Sequence, residues 1–266
     1  MRLSTRHKRI FMDSDALVSI ITPSCNSAPF IGATIESVLS QTYTDWELII
    51  VDDCSSDNTM EIARHYADRD RRIRLHILDT NSGAAVARNT ALAMARGRWV
   101  AFLDSDDIWT PEKLETQIRF MTENGFSFSY HPYSEIDEKG NPTGSRVSGP
   151  KRIGHLGMLA YCWPGCLTVM YDRKKLGELS IYPIRKNNDY AMWLQLSKRA
   201  ACHLLPRDMA FYRRRSGSIS NHGWGELVKW HYRLFREAEG HSVPISLFLT
   251  GQNLFFGVLK KLFYKK

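Results

Sequence analysis

Between residues 17 and 124 the chain alternates between short apolar runs and stretches whose apolar residues recur at helical spacing. LVSIITP (17–23), WELIIVDD (46–53), IRLHIL (73–78) and RWVAFLD (98–104) read as strands. The segments that follow them read as helices: PFIGATIESVLSQ, opened by Pro29; SSDNTMEIARHYADRD, opened by a cluster of N-capping residues; the small-residue run NSGAAVARNTALAMAR; and PEKLETQIRFMTEN, with Pro111 at an early position. Strand and helix in this order predict an α/β fold, a mostly parallel doubly wound sheet with ligands at the carboxyl ends of its strands. Thr22, Asp52, Asp53, Asn81 and Asp104 all fall at or just after predicted strand ends, so such a fold would gather them along one crevice.

Past residue 124 the alternation breaks down. FSFSYHPYSEID reads as a strand followed by the turn EKGNPTG, CLTVMYDR (166–173) as another strand, NNDYAMWLQLSKRA as a helix, and MAFYRRR as a strand running into SGSIS. Strands without a helix between each pair suit a mixed extension that builds a second binding site. The last stretch, VPISLFLTGQNLFFGVLKKLFYKK, is apolar but interrupted by Gly251, Gln252, Asn253 and Gly257, which makes it a poor membrane span. At 100° per residue, Leu254, Phe255, Val258, Leu259, Leu262 and Phe263 fill about half of a helix, with Lys260 and Lys261 on the remainder. Two readings stay open: an interfacial helix on an anionic cytoplasmic leaflet, and a helix docked on the protein's own core.

Charge changes the picture at one point. The chain of 266 residues carries 36 basic against 28 acidic side chains, a net charge of +8. Arg2, Arg6, Lys8 and Arg9 at one end, and Lys260, Lys261, Lys265 and Lys266 at the other, account for the whole excess. The body between them is formally neutral, which argues against a nucleic-acid-binding face. A hydrophobic share of 43% with 24% charged residues excludes both a disordered chain and a polytopic membrane protein. Cysteines 25, 54, 162, 166 and 202 are odd in number and lack zinc-binding spacing, so they read as free thiols of a reducing compartment. The basic N-terminus runs into the acidic MDSD rather than an apolar segment, so no signal peptide is expected, and Met12 is an alternative start.

The candidate chemistry lies in VAFLDSDDIW (100–109), where Asp104, Asp106 and Asp107 crowd behind an apolar strand. Like charges so close raise one another's pKa and call for a positive partner. A divalent cation answers this, because Mg²⁺ or Mn²⁺ commonly binds through one or two carboxylates plus substrate phosphates. Asp106 would then hold the metal, the metal the diphosphate, and Asp104 would accept from a ribose. No Gly-x-Gly-x-x-Gly or Walker-type loop follows the first strand, which disfavours a dinucleotide dehydrogenase or a P-loop ATPase.

TPSCNSAPFIGATIESVLSQTYTDWELIIVDDCSSD, then NSGAAVARN, then FLDSDD resemble, in that order, the GT-A glycosyltransferases of family 2. NNDYAMWLQL matches the position of that family's catalytic acid segment, and YRRRSGSIS resembles its C-terminal loop. The resemblance covers roughly residues 16 to 221 and is greatest to bacterial enzymes that assemble teichuronic acid, O-antigen and capsule. It implies a GT-A fold with a helical C-terminal extension. The chain would divide into a basic leader (1–15), a nucleotide-sugar-binding half (16–124), an acceptor-binding and catalytic half (125–224) and a basic, membrane-associated extension (225–266).

Residue by residue, the resemblance implies that Thr22 and Pro23 line the nucleotide pocket and that Asp53, or else Asp52, accepts from the uracil ring. Gly83 would let the backbone approach the nucleotide, Arg88 would sit near base or phosphates, and Ser105 would belong to the donor site with Asp104. Local alternatives are that Arg88 pairs a nearby acid and that Asn81 caps its helix. Asp189 is the implied general base, with Asn188 where the family often has Glu, and Trp193, four residues on, would face the acceptor from the same side of the helix. Arg213 to Arg215 would compensate the leaving diphosphate, and the loop with Gly217 would close over it.

The expected activity is metal-dependent, inverting transfer of a hexose from a UDP-sugar to an undecaprenyl-diphosphate-linked saccharide at the inner face of the cytoplasmic membrane. A Mg²⁺-dependent phosphohydrolase built on Asp104 and Asp106 is one rival. A non-catalytic sugar-nucleotide- or membrane-binding protein is the other.

Overall fold

The computed structural model describes residues 16–215 and 224–264; the basic leader, the loop with Gly217 and its serines, and Lys265 and Lys266 lie outside the described residues. Strands β1 (Val18–Ser24), β2 (Trp46–Asp52), β3 (Ile73–Ile77) and β4 (Trp99–Phe102) are parallel, in the order β3-β2-β1-β4. Helices α1 (Ile31–Leu39), α2 (Thr59–Ala67), α3 (Ala84–Met94) and α4 (Lys113–Asn124) are the four that the periodicity predicts. Alternation along β1 and β2 sends Ile20, Leu48 and Ile50 to one face, against Ile31, Ile35 and Met60 of the helices there. Ile21, Ile49 and Val51 go to the other face, against Ala87, Ala91 and Leu92 of α3. Coverage on both faces is why these strands read as unbroken apolar runs.

Beyond β4 the same sheet continues as antiparallel β10 (Met170–Asp172), then β6 (Phe128–Tyr130), β11 (Cys202–Leu204) and β9 (Arg152–Ile153). A second, small sheet runs β5 (Ile108–Trp109), β12 (Ala210–Arg213), β7 (Tyr133–Ile136), β8 (Pro142–Val147). Two expected strands are corrected here. FSFSYHPYSEID breaks at His131 and Pro132, its first part joining the large sheet and its second part the small one. Proline has no N–H to continue a ladder, and the break lets one segment serve both sheets. In CLTVMYDR only Met170–Asp172 is strand, because Cys166–Thr168 forms a 3-10 turn.

The remaining helices are α5 (His155–Ala160), α6 (Arg173–Leu176), α7 (Asn188–Ser197), α8 (Trp224–Arg233), which a wider π turn extends through Leu234–Ala238, and α9 (Val243–Phe263). Among the described residues, α9 alone is long and apolar enough to cross a membrane. It docks by its polar side. Ser246, Thr250 and Asn253 are buried with Leu249, while Phe248, Phe255, Leu262 and Phe263 are exposed. Asn253 Nδ2 donates to Leu159 O and to Tyr190 Oη, both at 2.9 Å. Docking of α9 on the protein's own core is thus observed on one face, while the other face is exposed.

At the amino ends of the parallel strands a buried carboxylate locks the sheet. Glu47 Oε1 accepts from Ser19 Oγ at 2.7 Å and from Arg96 N at 2.7 Å, while Oε2 meets Arg74 at 2.7 Å and Arg96 Nε at 3.0 Å. Burial alone would raise its pKa, but these hydrogen bonds outweigh burial and hold it below the ordinary value. Ser19 Oγ also accepts from Gly97 N at 2.8 Å. Only glycine fits at that approach, since a Cβ would lie 2.5 Å from Leu17 O.

Candidate active site

The strand order reverses between β1 and β4, and in open α/β sheets ligands bind at such a switch point. Leu103 N still bonds Ile21 O at 3.1 Å, and the chain then leaves the sheet in a tight turn closed by Asp107 N on Asp104 O at 3.1 Å. The turn separates its three acids. Asp104 keeps 29% of its side chain exposed and Asp106 16%, whereas Asp107 is 1% exposed. Asp107 Oδ1 accepts from Arg213 N at 2.9 Å, so this acid ties the turn to β12. Ser105 is buried too, its hydroxyl 2.7 Å from that of Ser27 in the β1–α1 loop, so it braces the turn rather than facing the crevice.

The positive partners of the acids are arginines from distant parts of the chain. Arg88, buried on α3, donates from one guanidinium nitrogen to Asp104 and from another to Asn188 at the start of α7. Burial opposes its charge, but the carboxylates of Asp104 and Asp189 outweigh burial and keep it protonated. Arg215 Nε lies 2.8 Å from Asp106 Oδ2. Even so, burial and the neighbouring Asp104 raise Asp106 above the usual carboxylate range, against the pull of Arg215. Asp107 is raised further, by burial and by both other acids.

Several expected roles are corrected by what the side chains touch. Arg213 is buried, donating from Nε to Asp106 O at 2.8 Å and from Nη1 to Asp137 O and Glu138 O at 3.2 and 3.1 Å. Its Nε and Nη1 are thus engaged by backbone carbonyls. Arg214 turns the other way, to Glu135 at 2.7 Å. Trp193 is fully buried, 5.1 Å edge-on from Phe102 and 6.1 Å from Phe128, so it is core and does not face an acceptor. Asn188 is likewise buried and serves Arg88.

On the nucleotide side, Asp52 is turned into its own loop by Ser55 N and Ser55 Oγ, at 2.8 and 2.5 Å. Asp53 accepts from Ser82 N at 2.6 Å and Gly83 N at 2.8 Å, while Asn81 Nδ2 donates to Asp53 O at 2.9 Å. Asn81 therefore fastens the loop rather than capping α3. Gly83 sits at φ +89, a left-handed conformation that favours glycine, with open space where a Cβ would point. Thr22 and Pro23 are buried at the end of β1, and Thr22 Oγ1 has no hydrogen-bond partner.

Asp189 stands in the first turn of α7, entered through left-handed Asn187 at φ 58. Its Oδ1 accepts from Tyr190 N at 2.8 Å. Burial raises its pKa, against the lowering effect of Arg88. A carboxylate raised above its ordinary pKa, beside the ion-paired Arg88 and Asp104, has the chemistry of a candidate proton acceptor. Two neighbours escaped the sequence reading. Cys166 Sγ lies 4.0 Å from Asp104 Oδ1, and Lys260 of α9 reaches Trp163 O at 3.0 Å and Cys162 O at 3.5 Å in the same region. The signal for Lys260 was its place opposite the apolar half of its helix.

Comparison with known proteins agrees with this geometry. The profile of Glycosyl transferase family 2 matches residues 19–183. TuaG of Bacillus subtilis (strain 168), a glycosyltransferase named for teichuronic acid biosynthesis, is 43% identical over 224 residues, 84% of this chain and 88% of its own. WfgD of Escherichia coli, named UDP-Glc:alpha-D-GlcNAc-diphosphoundecaprenol beta-1,3-glucosyltransferase, is 43% identical over 217 residues, 81% of this chain and 84% of its own. Among solved structures, S. aureus TarS 1-349 in complex with UDP-GlcNAc superposes with a TM-score of 0.67 at 21% identity, covering 89% of this chain and 71% of that one. The extent of these matches, on a doubly wound sheet with an acid turn at its switch point, shows that the chain belongs to glycosyl transferase family 2.

Proposed function

We propose that this glycosyltransferase is an inverting hexosyltransferase, moving a sugar from a UDP-sugar to an undecaprenyl-diphosphate-linked saccharide during assembly of a bacterial surface polysaccharide, at the inner face of the cytoplasmic membrane. The observation that carries the reading is the Arg88 bridge: one guanidinium joins Asp104 in the acid turn to the helical turn that bears Asp189. The candidate base and the candidate donor site are thereby held in one frame. The name of WfgD, with its UDP-glucose donor, diphosphoundecaprenol-linked acceptor and β product, supports the same substrate classes and stereochemistry here.

Asp106 would hold Mg²⁺ or Mn²⁺. A carboxylate that is 16% exposed at the mouth of the turn suits an ion that takes its other ligands from a diphosphate. When bound, it supplies positive charge to the departing diphosphate. Asp104 accepts hydrogen bonds from the ribose, the Gly83 backbone borders the nucleotide, and Arg215 adds its charge beside the diphosphate. Asp189 removes the proton of the acceptor hydroxyl as that oxygen attacks the anomeric carbon from the side opposite UDP. An α-linked donor then gives a β-glycoside.

Asp189→Asn is expected to lower kcat by roughly 10²- to 10⁴-fold while calorimetry shows unchanged UDP binding. The base works only when deprotonated, so activity is lost as pH falls through its raised pKa, above the ordinary ~3.9 of aspartate. Full activity of the variant, or retained anomeric configuration in the product, would sink the mechanism.

A further inference from the structure

Helix α9 buries Ser246, Thr250 and Asn253 beside Leu249 and packs Phe256 on the core, yet leaves a further set of apolar residues outward. At 100° per residue Phe248, Phe255 and Leu262 form one line along it, flanked by Ile245, Val258 and Phe263. All six are exposed, at 48 to 69%. No charged residue interrupts them, and Lys261 lies exposed toward the end of the helix. The 21 residues span about 31 Å. Because the opposite side is hydrogen-bonded to Leu159 and Tyr190, the helix in this position lies along the domain and does not cross a bilayer.

The inward side leads directly to the base. Asn253 bonds Tyr190, the residue after Asp189. Two turns further along the same side, half-buried Lys260 donates to the carbonyls of Cys162 and Trp163, and its ammonium sits 5.2 Å from the centre of the Tyr161 ring. Those two carbonyls, at 3.5 and 3.0 Å, take two of the ammonium's three donors. Burial lowers Lys260 to about 8, against the raising pull of Cys162 and of Asp189, whose charge is near enough to act on it. Trp163, Phe256 and Tyr264 pack around the same spot, with ring centres 5.3 to 6.4 Å from Trp163.

We propose that α9 presents the lipid-linked acceptor, its outward apolar stripe lying on an anionic bilayer while Lys260, from its inward side, binds the acceptor's diphosphate next to the base. This rests on the function proposed above and adds the side chains that deliver its second substrate. A lipid diphosphate joins an apolar chain, two phosphates and a sugar in that order. The helix offers an apolar face, a cation and the neighbourhood of Asp189 in the same order. Lys260 is then a binding residue for the acceptor, and the outward stripe a membrane contact.

The test uses the full chain, two substitutions of Lys260 and one triple variant of the outward stripe. Lys260→Met is expected to weaken calorimetric binding of a short-chain isoprenoid diphosphate-GlcNAc about 10-fold or more, with Lys260→Arg restoring most of it and UDP binding unchanged. The triple variant Phe248→Ser, Phe255→Ser, Leu262→Ser is expected to abolish flotation with vesicles of phosphatidylethanolamine and phosphatidylglycerol while its melting curve stays that of the parent, because all three residues are exposed. Equal diphosphate binding by Lys260→Met, or undiminished flotation of the triple variant, overturns the proposal. Neither readout needs turnover. Failure of the unaltered protein to glycosylate any diphosphate-lipid would count against the proposed function, whereas transfer with Lys260→Met and the triple variant behaving as wild type would count against this inference alone.

Discussion

Arg88 does with one side chain what two residues usually share. Its planar fork reaches Asp104 and Asn188 at once, and its charge bears on Asp189. A lysine keeps the charge but is a single point with no fork. Arg88→Lys is therefore expected to lower kcat/KM by roughly 10- to 100-fold, the cost of a charged hydrogen bond, measured by steady-state kinetics on the same donor. Undiminished kinetics would mean the bridge is idle. The acids at 104, 106 and 107 were legible because they are neighbours in sequence. Of their partners, Arg88 was open to pairing with a nearby acid and Arg215 stood in a run of three arginines, but which acid each meets is set only by folding. Arg213 misled for a related reason: the pairing of β12 with β5 and β7 drives it inward to backbone carbonyls, which a run of three arginines does not disclose.

At the scale of elements, the first four strands and helices were legible because β1, β2 and β4 are buried on both faces, β3 is a short run at the sheet edge with Ile at each end, and the helices bury one side. Helix α7 was legible as a helix but not in its orientation. Tyr190, Ala191, Met192, Trp193, Leu194 and Leu196 are all buried, so no polar side exists to orient it. Asp189 and Trp193 share a side, yet one turn separates the crevice from the space beneath Phe102. The 128–136 segment failed as a single strand because its two parts serve different sheets, a tertiary choice invisible in local alternation. Gly97 makes a test at this scale. Gly97→Ala must push β4 away from β1, and is expected to cost ~1–3 kcal/mol, seen as a melting temperature lower by roughly 2–4 °C per kcal/mol. A variant that melts like the parent would show that the close approach relaxes easily.

Over the whole molecule, the crevice draws its charges from both halves of the chain, the acid turn from the first and Arg215 from the second. A ligand seated there fastens the halves together. UDP with Mn²⁺ at about 100 times its Kd is expected to add ~2.7 kcal/mol of stability, a rise of roughly 5–10 °C in a thermal melt. Asp106→Asn should remove the part of that rise that depends on the metal; an unchanged metal-dependent rise would place the ion elsewhere. The formal neutrality of the body, read from sequence, is thus an average over paired charges, and the net positive charge belongs to the ends.

The Glu47 lock lies at the amino ends of the strands, and the acid turn at their carboxyl ends. A plate clamped along one margin can be recut along the other. Glu47, Ser19 and Gly97 hold β1, β2 and the start of β4 in register whatever side chains line the crevice. Substrate preference can therefore drift by changes in the loops at the far margin without endangering the fold. Relatives that share this sheet are free to differ in the sugars they handle.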